Sequence, residues 1–243
     1  MTWPAGYDRR VLAEVDSTMA EATRMAPTLA GPVWVCALRQ TAARGRRGRA
    51  WISPEGNFAA TLALPVTEAP GTVALRSFVA ALALFDAVVA LTGRADGLSL
   101  KWPNDVLLNG GKLAGILLEG GGRVLSIGVG VNLTAAPAPA QVEPGAVHPV
   151  ALLSETGARV TPEEMLDALA AAYAEWEARF VTYGFAPVRA AWLQRAARLG
   201  QTVTARAGGT ETVGTFETVD ERGQLVLKTA KGRVAIPAAD VFF

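Results

Sequence analysis

The sequence has 243 residues, 51% of them hydrophobic, enough apolar side chain to close a sizeable core and too much for a disordered chain. Lys and Arg number 23 against 22 Asp and Glu, a formal net charge of +1, so no overall positive field favours a nucleic-acid backbone. One cysteine, Cys36, excludes an intrachain disulfide and a Cys/His zinc cluster, and one histidine, His148, is the sole base on which a Ser/His/Asp or Cys/His triad could be built.

The opening residues, MTWPAGYDRR, lack the apolar core of a secretory leader. The most apolar later stretch, Phe78 to Leu91, is interrupted by Asp86 and reads as too short to span a bilayer, so a soluble, cytoplasmic protein is expected. Tyr7 to Val15 reads as the first strand, and Asp16-Ser17-Thr18 offers caps for a helix from Met19 to Met25. Pro32 to Leu38 is an apolar strand, with Cys36 in the core.

Arg39 to Trp51, RQTAARGRRGRAW, then places Arg44, Arg46, Arg47 and Arg49 in a stretch broken only by Gly45 and Gly48. Glycine lets a backbone approach a ligand closely, and arginine supplies a planar fork of donors that fits carboxylate and phosphate. A loop so built, with strands at both ends, can close over an anion. Taken by itself it reads equally as a nucleic-acid patch or a solvated turn.

Ser53 to Asn57 has turn chemistry, and Phe58 to Leu64 resumes as a strand. Thr72 to Leu91 carries Leu75, Phe78, Val79, Leu82, Phe85, Val88 and Val89 at helical spacing, with Gly93 as the stop. Leu98 to Trp102 is a short strand that Pro103 breaks, presenting Asn104 and Asp105 from a turn. Val106 to Leu108 resumes it, Asn109-Gly110-Gly111 turns tightly, and Lys112 to Glu119 returns. Gly120 to Arg123 turns again into a strand from Val124 to Leu133, where Gly128 and Gly130 suggest that a ligand or another backbone comes close. Such a meander with a helix on one face predicts an α+β domain.

Thr134 to Pro149 is an Ala/Pro-rich loop. Thr161-Pro162-Glu163-Glu164 is a capping box opening a helix to about Phe180, and Pro187 to Ala197 is a shorter helix. From Arg198 the pattern changes to short strands and glycine turns: Thr202 to Arg206, Thr212 to Val219, Gln224 to Thr229 and Arg233 to Ile236. These predict a small barrel, and a division into residues 1–197 and 198–243.

Four stretches in this order carry a resemblance: Ala43 to Trp51 (ARGRRGRAW), Lys101 to Asp105 (KWPND), Lys112 to Glu119 (KLAGILLE) and Gly128 to Asn132 (GVGVN). The chain resembles the biotin–protein ligases. That resemblance implies a class II synthetase-like domain, with a mixed, mostly antiparallel sheet and helices on one face, plus a C-terminal SH3-like β-barrel. It also implies a two-step reaction: ATP and biotin, with Mg²⁺, form biotinyl-5'-AMP and pyrophosphate, and the adenylate is attacked by a lysine of a biotin carboxyl carrier protein, as in acetyl-CoA carboxylase. Such chemistry needs cations and alignment rather than an enzyme nucleophile.

Carried over position by position, the resemblance assigns Ser17 and Thr18 to biotin's ureido ring, with Met19 beside them and Gln40 as amide partner. Arg44, Gly45 and Arg46 become the loop over biotin and phosphate, and Arg49 and Trp51 the phosphate and adenine contacts. Lys112 bridges the biotin carboxylate and the α-phosphate. Asn104 and Asp105 lie near the phosphates, Asp105 orienting or deprotonating the incoming lysine or holding Mg²⁺ through water. Gly115 and Asn132 complete the set, and Lys112, Arg46 and Asp105 are the expected catalytic groups; no protein-held metal is expected.

The plainer alternatives are capping for Ser17 and Thr18, packing for Trp102, Gly115 and Gly128, solvation for Arg47, and an edge position for Lys112. Met19 stands where the family commonly has Asn, and Ala43 where it has Gly. A first strand so near Met1 implies the monofunctional type without an N-terminal DNA-binding domain, with neither DNA nor membrane as partner, and an exposed sheet edge leaves room for a homodimer. Lipoate–protein ligase and a nucleic-acid-binding module are the competing functions; biotin-dependent ATP–pyrophosphate exchange separates all three.

Overall fold

The computed structural model describes residues 2–138, 141–142 and 145–243, so part of the expected 134–149 loop lies outside the described residues. Strands β1 (Asp8–Val15), β2 (Val33–Gln40), β3 (Phe58–Pro65), β4 (Leu98–Lys101), β5 (Asp105–Leu108), β6 (Gly111–Gly121) and β7 (Val124–Val131) form one sheet in the order β1-β2-β3-β7-β6-β5-β4. Neighbours are antiparallel except β1 and β2. Those two run parallel because the chain crosses back between them through helix α1 (Thr18–Met25), which a tight hairpin could not do. Strand β6 runs on through Gly120 and Gly121, expected as turn, because both pair across the ladder with Leu125 and Val124.

Helices α2 (Pro70–Ala74) and α3 (Arg76–Thr92) follow one another across Leu75, and Gly93 closes α3 in the left-handed conformation at φ 69°. Together Pro70–Thr92 spans 23 residues and contains an 18-residue window of mean hydropathy 2.0, long and apolar enough by length and composition to cross a bilayer, which corrects the shorter stretch expected from sequence. In the fold 72% of its apolar window is buried inside the protein. The next helices are α4 (Leu152–Thr156), α5 (Pro162–Tyr183) and α6 (Phe185–Gln194). Thr161 and Glu164 close the capping box of α5 by exchanging side-chain and backbone hydrogen bonds. Helix α6 stops short of Ala197 because Arg195 and Ala197 are drawn into hydrogen bonds with Leu100 of β4.

Alternate residues divide the sheet into two faces. Phe58, Ala60, Leu62 and Leu64 of β3 join Leu125, Ile127, Val129 and Val131 of β7 in the core with α3 and α5. Helix α1 lies against the opposite face. Cys36 is a buried core residue whose thiol is pushed up to about 12 by that burial.

Strands β8 (Thr202–Ala207), β9 (Thr210–Val219), β10 (Leu225–Thr229), β11 (Gly232–Ile236) and β12 (Asp240–Phe242) make an antiparallel sheet in the order β11-β10-β9-β8-β12. The small unit expected as a barrel is a five-stranded antiparallel sheet whose ladder runs from β11 to β12, with no pairing between those two end strands among the described residues. It is pinned to the larger unit where the Trp102 indole donates to the Gly223 carbonyl at 3.0 Å, which makes Trp102 a core residue, as its packing alternative had it.

One buried ion pair ties α3 to α5. Arg76 Nε donates to Glu177 Oε1 at 2.9 Å, Arg76 Nη2 pairs with Glu68 at 2.6 Å, and Tyr173 donates its hydroxyl to Glu177. Arg76 and Glu177 are both buried, so neither charge has water to fall back on. Burial, then the Glu177 charge, push the neighbouring Tyr7 phenol up to about 12. Arg76→Ala is expected to cost about 3–5 kcal/mol in urea unfolding. The double replacement Arg76→Met with Glu177→Leu should cost clearly less, because it strands no charge.

Candidate active site

A cavity of about 460 Å³ opens on the sheet face opposite α3 and α5, a size that suits a small organic ligand. Every site residue expected from sequence lines it: Ser17, Thr18, Met19, Gln40, Arg44, Gly45, Arg46, Arg49, Trp51, Asn104, Asp105, Lys112, Gly115 and Asn132. The ends of β1, β2, β6 and β7 deliver them from far-apart segments to one side of the sheet.

At one end lies a hydroxyl and amide cluster. Thr18 is buried; its N–H donates to Gln40 Oε1 at 2.8 Å, and its hydroxyl accepts from Thr61 at 2.8 Å. Ser17 occupies the N-cap position of α1, yet its side chain makes no capping bond, which sets aside the capping alternative for it. Thr61 was not singled out from sequence. Its signal was a hydroxyl inside the apolar run of β3, on the face away from the core.

The floor is made of glycines. Gly115 and Gly130 are register partners across β6 and β7, and the Trp51 indole lies on both. A Cβ on Gly130 would stand 2.7 Å from the indole nitrogen, and one on Gly115 3.2 Å from its ring. At Gly128 the close neighbour is Met19, whose sulfur would be 2.7 Å from a Cβ. The close approach that these glycines suggested is therefore made by two of the chain's own side chains.

The charged wall centres on Asp105, buried at the start of β5. Its Oδ1 is 2.6 Å from Lys112 Nζ and its Oδ2 3.5 Å from Lys101 Nζ. Burial alone would raise the Asp105 carboxyl; the Lys112 and Lys101 charges outweigh it and hold the group below the usual carboxylate range. Burial pulls Lys101 down from the ordinary lysine value against the opposing pull of Asp105. Lys101 belongs to the KWPND stretch and had no separate role from sequence. Lys112 Nζ also lies 5.7 Å from the centre of the Trp51 ring. Its backbone is clasped on both sides, its N–H donating to His148 at 2.7 Å and its carbonyl accepting from Val150 at 3.0 Å. Lys112 is thus not a free edge lysine.

Asn132 helps hold that clasp, its Nδ2 donating to the Val150 carbonyl at 3.1 Å. Its Oδ1 is buried in the cavity wall and has no partner among the described residues. A buried acceptor left open is costly unless a ligand donor meets it.

The arginine loop is folded over the mouth. Arg44 and Ala50 bridge, the Gly45 N–H donates to the Arg49 carbonyl at 2.7 Å, and a short 3₁₀ turn spans Arg46–Gly48. Arg46 points inward, reaching Asn104 Oδ1 at 3.4 Å; burial lowers its guanidinium from the ordinary arginine value. Asn104 in turn donates to the Ile116 carbonyl, so it stands between the loop's inner arginine and β6. Arg47, for which solvation was the plainer alternative, is exposed and also pairs with Asp240 of β12. No sequence signal marked Asp240, which lies nearly the whole chain away.

Among the described residues no group of three or more His, Cys, Asp or Glu is gathered. The cavity's carboxylates, Asp105 and Asp240, each already face more than one cation. That donor set does not fit a metal ion held by the protein itself.

Residues 11–133 match the Biotin/lipoate A/B protein ligase family, and residues 199–243 match the Biotin protein ligase C terminal domain. A biotin--[acetyl-CoA-carboxylase] ligase of Paracoccus denitrificans is 55% identical over 238 residues, covering 96% of this chain and 99% of that protein. One from Mycobacterium tuberculosis is 32% identical, covering 95% and 87%. Among solved structures, the biotin protein ligase from Aquifex aeolicus in complex with biotin and ATP aligns with a TM-score of 0.84 at 26% identity, over 96% of this chain and 97% of that one.

Gly130→Ala is expected to expel the Trp51 indole from the floor, because the loop can give way where the sheet cannot. Acrylamide quenching of tryptophan fluorescence should rise relative to wild type at unchanged far-UV circular dichroism, and the rise should vanish when Trp51 is first changed to Phe.

Proposed function

The chain belongs to the biotin/lipoate A/B protein ligase family, and on that footing we propose that it activates biotin with ATP as biotinyl-5'-AMP and transfers the biotinyl group to a lysine of a biotin carboxyl carrier protein, that of acetyl-CoA carboxylase in the first place. The observation that carries this reading is one cavity that joins a buried hydroxyl and amide cluster to a wall of lysine and arginine. Such a cavity suits a substrate with a polar ring at one end and a carboxylate at the other, beside a polyphosphate.

In the first step a biotin carboxylate oxygen attacks the α-phosphorus of ATP, and the bond to the leaving pyrophosphate breaks. Both reactants are anions, so the barrier falls when fixed cations stand where their charges meet. Lys112 takes that position: its clasped backbone fixes the base of the side chain, and its ammonium has donors left after serving Asp105. Arg44, Arg46 and Arg49 serve the phosphates from the loop, with Asn104 aiming Arg46. Ser17, Thr18 and Gln40 hold the ureido ring, Thr61 orienting Thr18 from behind; Met19 and Gly128 shape the ring's bed.

Trp51 has one indole face on Gly115 and Gly130, which leaves the other face for adenine. The open Oδ1 of Asn132 suits the adenine amino group. In the second step the lysine amine attacks the acyl carbon and AMP departs. Asp105, held ionised by two ammonium groups, is a weak base, so it orients the acceptor amine rather than taking its proton. Mg²⁺ comes with the triphosphate, since the wall offers it no free carboxylate.

Residues 1–197 form the catalytic unit in this proposal and 198–243 the appended one, supported by the change of pattern at Arg198 and by the separate family matches. A cytoplasmic setting without DNA or membrane partners is part of it, supported by the net charge of +1. The open edge of β1 is where two copies would pair.

Purified protein should catalyse ATP–pyrophosphate exchange that depends on added biotin; exchange driven by lipoate instead would overturn the substrate assignment. Lys112→Ala should lower the biotin-dependent rate about a hundred- to a thousandfold with the fold intact by circular dichroism, and a folded variant with near-normal exchange would remove Lys112 from the mechanism.

A further inference from the structure

Three guanidinium groups of the arginine loop converge on one carboxylate at the start of β12. Arg47 Nη1 stands 2.6 Å from Asp240 Oδ2, Arg46 Nη1 3.3 Å from Oδ1, and Arg49 Nη2 3.4 Å from Oδ2. The contacts are unequal. Only Arg47 sits at the distance of a strong charge-assisted hydrogen bond, whereas Arg46 spreads itself over Asp240, Asn104 Oδ1 at 3.4 Å and the Ala239 carbonyl at 3.3 Å. Arg47 also occupies the left-handed region at φ 57°, a conformation that disfavours a residue with a side chain by about 1 kcal/mol. Something must hold it there, and the bond to Asp240 is the contact in place to do so.

We propose that Asp240 and Arg47 form a tether that keeps the arginine loop closed over the cavity, Arg47 remaining on Asp240 while the loosely held Arg46 transfers to the phosphate of the nucleotide. Both are positioning residues. The ligand half of the proposal rests on the ligase function given above; the tether itself does not. Asp240 is fastened in turn by β12, which pairs with β8 opposite Arg206, so the small C-terminal sheet supplies the anchor for a loop on the catalytic sheet. The Asp240 side chain is 21% exposed and that of Arg47 53%, so the pair is sheltered on its carboxylate side and open to solvent screening on the other. Without its charge, Arg46 and Arg47 lose the carboxylate that stands between them.

Hydrogen–deuterium exchange of the ligand-free protein tests the tether directly. The amides of Gly45, Arg49 and Trp51 close the loop through bonds to the carbonyls of Arg49, Arg46 and Ala43. In Asp240→Asn they should exchange roughly three- to tenfold faster, the range expected for losing one charged hydrogen bond near the surface. Exchange across β8, β9 and β10 should stay at the wild-type rate, and Asp240→Glu should recover most of the protection. Arg47→Gln should give the same acceleration, and the double variant no more than either single change. Wild-type exchange in Asp240→Asn, additive effects in the double variant, or acceleration spread through the small sheet would each overturn the tether.

For the ligand half, pre-formed biotinyl-5'-AMP should leave Asp240→Asn faster by a similar factor, and an unchanged release rate would overturn that half. If the ligase function itself were wrong, wild type would make no adenylate while the exchange result stood.

Discussion

A buried carboxylate shared by two ammonium groups is the interaction on which the site depends. Asp105 has Lys112 on one oxygen and Lys101 on the other, and β4 and β5 exist as a pair around this point, Lys101 and Asp105 being register partners. An isolated lysine so far from water would shed its proton, and an isolated aspartate would take one up. The opposite charges offset that cost for Lys101 and Asp105, and Lys112, on the other oxygen of Asp105, lines the cavity. The wall thus sets two ammonium groups against one carboxylate before any ligand arrives, which in the proposed reaction is preorganisation in the electrostatic sense.

That wall can exist because the sheet keeps its two faces separate. Behind it, the large apolar residues of β3 and β7 pack under α3 and α5 and bring the rigidity of a conventional core. In front, the same strands carry glycine, alanine or a hydroxyl, so that side chains from α1 and the arginine loop can settle close to the backbone. The same division explains the position of α1, whose buried residues Thr18 and Met19 line the cavity. Period-two alternation thus turns one set of strands into both a foundation and a bed.

Most of the catalytic sheet was legible in the sequence, since each strand is bounded by proline, glycine or turn residues, and the site residues lie in motifs of specific spacing. What escaped depends on contacts between distant parts of the chain. Strand β12 is three residues long, too short to have a period, and is defined by pairing with β8. Asp240 is an ordinary surface aspartate until β12 carries it to the arginine loop. The apolar length of Pro70–Thr92 was under-read because Asp86 looks like an interruption, and Arg76 is a core residue only through its partners Glu177 and Glu68. Thr61 was visible as an odd hydroxyl, but its bond to Thr18 required the register of β3 against α1.

The glycine bed under Trp51 also limits how such a protein can drift. No amino acid is smaller than glycine, so any coding change at Gly130 adds at least one carbon where the indole lies. In the proposed function, the hydroxyl and amide end could be rewritten one side chain at a time, each step altering which ring it prefers. The shelf has no intermediate of that kind. Inheritance can therefore retune the acid this scaffold accepts far more readily than it can give up the flat aromatic partner stacked above the floor.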